Sequence, residues 1–180
     1  MALDPREVAN TVIDYSIEYK KPLTHLSLQK ILYFLHGKYL IKNRNPLILG
    51  YFEAWKFGPV HPLIFSCCKK YGREALVEHL SSFDVMTGKV RKIGTVTDIK
   101  LKSYITSQSY GLLNLSAGQL VDLSHAENSP WDIVTKQGSS GRIFGDRINN
   151  DIILSAFSKH KMSISLTPTV GDPSDEQPPS

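Results

Sequence analysis

The sequence predicts a mainly α-helical fold. It reads as one compact helical domain over residues 1–162, with a small extended element around 48–57 and a β-hairpin or irregular insert at 84–105. An acidic, proline-rich tail at 163–180 is expected to be disordered. Three observations predict this. Two long stretches near the start carry helix caps and apolar residues at helical spacing. The β-branched and aromatic run is confined to one segment, closed by Gly58-Pro59. Hydrophobic residues make up 41% of the 180-residue chain and charged residues 21%, enough apolar material for one core.

The elements follow in order. Asp4 is placed to cap a first helix, Pro5 suits its first position, and Glu7 lies three residues after the cap. Val8, Val12, Tyr15 and Tyr19 form its stripe, and Lys20-Lys21-Pro22 ends it. Thr24 caps a second helix whose apolar stripe is Leu28, Ile31, Leu32, Leu35 and Tyr39, with Gln29, Lys30, Tyr33 and Lys38 off its centre. "KNRNP" (42–46) stops it. "LILGYFEAW" reads as extended, and Gly58-Pro59 turns the chain. Pro62 starts a helix through Lys70, with Leu63, Ile64 and Cys67 on one face, and "YGREALVEHL" predicts a further short helix after Gly72. A helix runs from Ser116 to about Glu127, stopped by Asn128, Ser129 and Pro130. "GSSGRIFG" is a loop. "DRINNDIILSAFSKH" is a last amphipathic helix carrying Ile148, Ile152, Ile153 and Phe157.

Composition excludes several classes. No run approaches the roughly 18 to 20 apolar residues of a membrane span, and "MALDPREVANTVIDYS" lacks the pattern of a signal peptide. A cytoplasmic protein is expected. Cys67 and Cys68 are adjacent, which strains a mutual disulfide, and no Cys/His spacing fits zinc. Three of the 17 acidic residues and none of the 21 basic ones lie in 163–180. The body of the chain is thus more basic than the net +4, which favours nucleic acid or an acidic protein partner. The basic residues form no block, and the second helix is too long and greasy for a DNA-reading helix. Nucleic acid is not the expected partner.

Little points to catalysis. Six histidines are scattered, with no zinc-protease, nucleophile-elbow, Walker A or dinucleotide motif. Ser27, His61 and Asp132 form a nameable trio, as many others would. Glu53 and His61 flank "FEAWKFGPV" (52–60) as a conceivable acid and base. The simpler reading pairs Glu53 with Lys56 or a turn, and makes Trp55 and Phe57 core aromatics. No cofactor and no metal are expected.

The motifs become specific together. Ala9-Asn10, "LSLQKILY" (26–33), Pro46-Leu47, "FEAWKFGPV" and Tyr71-Gly72 are followed by Leu123-Ser124-His125 through Pro130-Trp131, and by Ile148 to Asp151. This set resembles the Panacea domain, the SocA-like antitoxin family, over about residues 5–160. Ser124 departs from the threonine common there, and residues 81–115 and the tail do not align with the pattern. The resemblance implies a helical fold and the antitoxin of a two-gene toxin–antitoxin system, often on phages or mobile elements. It implies direct binding to a cognate toxin encoded by an adjacent gene. One branch looks instead like a proteolytic adaptor that delivers its toxin to a Clp-type protease. No catalytic residue is implied.

The candidate motif or partner-binding residues are Gln29, Lys30, Tyr33, Glu53, Trp55, Gly58, Pro59, His125 and Trp131. Gln29, Lys30 and Tyr33 either anchor a partner or hold the Glu53–Trp55 segment, a Lys30–Glu53 ion pair being one way to do so. The departing regions, 81–115 and the tail, are the candidates for partner specificity.

Overall fold

The computed structural model describes residues 1–137 and 145–159. Its first helix, α1 (Pro5–Glu18), starts as its sequence dictates. Asp4 caps it by accepting from the Arg6 amide, and Pro5 holds the first position. The core face is Val8, Ala9, Val12 and Ile13, whereas Tyr19 is the exposed C-cap. The expected stripe is thus corrected by one turn at its end.

The second helix, α2 (His25–Asn43), is the axis of the molecule. Thr24 caps it through the Ser27 amide, and Arg44 closes it in the left-handed conformation. Every residue from Ser27 through Gly37 is buried. The predicted stripe was one side of a helix that is covered on all sides, as its near-continuous apolar content requires. It packs against α1, against a small sheet, and against the helices that follow. This leaves no face of Ser27–Gly37 to enter a DNA groove.

The extended element is confirmed and is narrower than expected. β1 (Phe52–Trp55) pairs antiparallel with β2 (Gly58–Val60) and, on its other side, with β5 (Asp146–Ile148). Residue 148 therefore belongs to a strand, not to the last helix. Ahead of β1, Ile48 is held by Leu3, which donates to the Leu47 carbonyl and accepts from the Leu49 amide. α3 (Pro62–Cys68) passes into a single 3-10 turn, Lys69–Tyr71. Its buried residues are Ile64 and Cys68, while Leu63 is 40% exposed. Both cysteines are free thiols.

The helix expected after Gly72 is absent. Residues 73–80 form an extended strap: Ala75 bridges to Thr24, the Leu76 amide donates to the Leu23 carbonyl, and Leu76 and Leu80 are buried. Tertiary pairing overrides the helical propensity of "EALVEHL" here. The hairpin exists but lies earlier than 84–105, as β3 (Ser81–Asp84) and β4 (Lys89–Lys92). The rest of that span is α4 (Ile99–Leu112), capped by Asp98, which buries Ile105, Ser109 and Leu112 against α1 and α2. The β-branched run around its start (Thr95, Val96, Thr97 and Ile99) had hidden the four-then-three spacing of those positions.

α5 (Ala117–Ser124) begins with a capping box of Ser116 and Gln119. Pro130 does not merely stop a helix. It is the first residue of α6 (Pro130–Gln137), whose Asp132 amide bonds the Ser129 hydroxyl. α7 (Asn150–Lys159) buries Ile153, Ala156 and Phe157. Phe157 lies directly over Gly37 of α2, where a β-carbon would approach its ring to 2.5 Å. The loop expected at 138–144 and the tail at 163–180 lie outside the described residues.

Candidate functional site

The signature residues converge on the turn between β1 and β2. Gln29, 1% exposed, uses its amide as a strand would: its Oε1 accepts from the His61 amide at 2.8 Å, and its Nε2 donates to the His61 carbonyl at 3.4 Å. Lys30 is fully buried and donates to the Pro59 carbonyl at 3.0 Å. A desolvated ammonium requires such ligation. One turn on, Tyr33 is fully buried with its ring edge-on to Phe34, Phe52 and Phe157. Burial pushes its hydroxyl well above the usual phenol range. All three residues sit inside the molecule and hold the segment; none presents a side chain to solvent.

The turn itself is fixed by close approach. Gly58 has φ +91, and a β-carbon there would fall inside the contact distance of Ser124 Oγ and 3.0 Å from Lys30 Cε. Only glycine meets both conditions. Ser124 Oγ is held by donating to the Val121 carbonyl at 2.7 Å.

Glu53 accepts from the Trp55 indole at 2.8 Å, and the Trp55 ring meets Phe65 edge-on. Lys30 thus ties α2 to Pro59, while Glu53 steadies Trp55. The Trp131 indole donates to the Trp55 carbonyl at 2.8 Å, bringing the "SHAENSPW" segment onto β1. His125 stacks on Trp131 with ring centres 3.7 Å apart. Two distant motifs of the sequence are therefore one clasp: α2 beneath, β1–β2 in the middle, and the start of α6 above.

The electrostatics follow from burial. His125 is pushed down to about 4, first by burial and then by the Lys30 charge, with Asp122 and Asp132 opposing. His25 is likewise pushed down to about 4 by burial and by Lys30. Both are neutral at pH 7. His61 is lowered by burial, and its Nε2 meets the Leu49 carbonyl at 2.9 Å. A carbonyl only accepts, so Nε2 carries the proton.

The conceivable acid–base sets find separate partners. Glu53 binds Trp55 and His61 binds Leu49. Of the trio, Ser27 bonds Thr24, and Asp132 takes the Asn128 amide and Lys136. Among the described residues, no group of three His, Cys, Asp or Glu is placed to hold a metal ion.

Sequence reasoning noticed Asn10 only as part of a pattern; the structure gives it a role. Fully buried on α1, its Nδ2 donates to the carbonyls of Leu80 (3.1 Å), Ile93 (2.9 Å) and Gly94 (3.3 Å). Its Oδ1 accepts from the Leu80 amide at 2.7 Å. Beside it, Thr11 Oγ1 accepts from the Val96 amide at 3.0 Å. Asn10 thus grips the chain where it enters and leaves the β3–β4 hairpin. A polar residue on the core face of an amphipathic helix was the available signal.

This fold and clasp define a small helical scaffold whose signature residues lock the β1–β2 turn onto the central helix α2 and the base of the β3–β4 hairpin onto α1. The chain belongs to the SocA-like antitoxin family: the family model "Antitoxin SocA-like, Panacea domain" matches residues 28–132. It is also similar to the protein named Antitoxin SocA of Caulobacter vibrioides (strain NA1000 / CB15N), at 35% identity over 179 residues, covering 99% of this chain and 95% of that one. No solved structure matches significantly.

Proposed function

We propose that this protein is the antitoxin of a type II toxin–antitoxin pair. It neutralises a cognate toxin, the product of an adjacent gene, by direct protein–protein binding in the cytoplasm. The observation that carries this reading is the 35% identity to an antitoxin, which runs almost end to end rather than over one motif. The clasp supports it physically. Gln29, Lys30 and Trp131 commit polar groups to the backbone of His61, Pro59 and Trp55 inside the fold, which is the work of a scaffold that acts through its surface.

The test is growth of cells expressing the adjacent open reading frame, with and without this protein, in normal and Clp-deficient strains. Rescue in both strains is expected. Rescue only where the Clp protease is present replaces blocking with proteolytic delivery. A neighbour that is harmless alone refutes the antitoxin reading.

A further inference from the structure

The β3–β4 hairpin is bare in an unusual way. It pairs Phe83 with Val90, and these are 62% and 66% exposed. At its tip Val85 is 83% and Met86 94% exposed. Every residue of β4 is exposed. An isolated two-stranded hairpin is marginal in water without a third strand or a packed face. Large apolar side chains grouped on such an element mark an interaction surface.

The fold nevertheless holds this hairpin in place. Asn10 fixes both ends of its base, as described above. The tip is closed by Asp84, whose Oδ1 accepts from the Met86 and Thr87 amides, and by Gly88 at φ +66. Base and tip are tied by hydrogen bonds while the faces bury almost nothing. That is the construction of a presented arm.

Its chemistry indicates what it takes. Facing residues of the register share a side, so Phe83 and Val90 lie with Ser81 and Lys92, while Lys89 and Arg91 lie with Asp84 on the other. Phe83 also borders a cleft of about 290 Å³, lined with it by Cys67, Lys70, Tyr71, His79 and Leu80. Apolar anchors are therefore rimmed by Lys70 and Lys92, with Lys89 and Arg91 behind. The hairpin's one carboxylate is engaged in its own turn. Among the described residues the sheet has two strands, leaving an edge for a further strand.

We propose that the β3–β4 hairpin is the arm that grips the toxin, by receiving an extended segment of that protein whose apolar side chains meet Phe83, Val90 and the cleft and whose acidic side chains meet the surrounding cations. This rests on the antitoxin reading. Strand addition supplies main-chain hydrogen bonds, and alternate side chains supply selectivity.

The experiment uses the full chain and the purified product of the adjacent gene. Binding is measured for wild type, for the double variant Phe83→Ser with Val90→Ser, and for Lys92→Glu. Loss of affinity of about thirtyfold or more for the double variant, the range of an interface hot spot, with an unchanged melting temperature, is the expected result. Wild-type amides of 81–92 should also gain exchange protection in the complex, a readout that needs no variant. Equal binding by all variants, or no added protection, overturns the arm while the antitoxin reading stands. No binding by the wild type overturns both. If the wild type alone sediments as a dimer that the double variant dissolves, the arm serves a second copy of this chain and the toxin assignment is wrong.

Discussion

Replacing Asn10 by alanine tests how the arm is held. The side chain makes four contacts within hydrogen-bond distance, three donated and one accepted. An amide has two N–H groups, so the three carbonyls share two protons, and the contacts amount to about three bonds. A buried bond contributes about 1 kcal/mol net, and an abandoned buried donor costs at least as much. The Leu80 amide is such a donor, so Asn10→Ala should destabilise by about 3 kcal/mol. For a domain of this size that corresponds to a fall in melting temperature of about 6–12 °C.

Circular-dichroism melts measure the total, and amide exchange at Leu80 localises it. Asn10→Asp sharpens the reasoning. It keeps an acceptor for Leu80 but turns a carboxylate oxygen toward three carbonyls, and should be at least as damaging. A fall of under about 2 °C for alanine, with Leu80 still protected, would refute Asn10's hold on the base of the hairpin.

Three further outcomes are expected. Gly58→Ala should cost about 3 kcal/mol, from the φ penalty and the approach to Ser124 together; a urea midpoint shift equivalent to less than about 1 kcal/mol refutes it. Lys30→Met should raise the pKa of both His25 and His125, because each is depressed in part by the Lys30 charge; NMR titration showing either unmoved would exclude that coupling. Stability should also fall on mild acidification. For these two histidines the folded pKa of about 4 lies below the ordinary 6.5. The unfolded chain therefore binds more protons between those values, so stability is full above pH 6.5 and drains as pH falls toward 4. A flat melting temperature across that window would contradict the burial of both rings.

The sequence revealed the fold wherever local chemistry decides it. Asp4 and Thr24 each cap the helix their position announces, and Gly58 turns the chain where Gly-Pro predicts it. It failed where distant contacts decide. "EALVEHL" has helical composition, yet Leu76 and Leu80 are buried in an extended strap pinned to Leu23 and Asn10. The β-branched run that ends at residue 105 (Thr95, Val96, Thr97, Ile99 and Ile105) reads as extended, yet Asp98 caps a helix over 99–112 that α1 and α2 cover. For the site, the family pattern named the clasp residues but not their geometry. Nothing local says that Gln29 binds the backbone of residue 61, or that Trp131 reaches residue 55.

The separation of clasp from arm makes the two roles experimentally orthogonal. Lys30, Tyr33 and Gln29 are buried to within 1%, so a partner cannot touch them without opening α2. Substituting them alters neutralisation only through the folded fraction, and loss of activity must track loss of stability. Phe83 and Val90 make the opposite case. They are mostly exposed, so replacing them removes little that holds the fold and can change binding at constant stability. Across a set of variants, activity plotted against melting temperature should therefore fall on one line for the clasp and leave that line for the arm. If Phe83 and Val90 variants stay on the line, partner recognition lies on another surface, and the bare hairpin needs a different explanation.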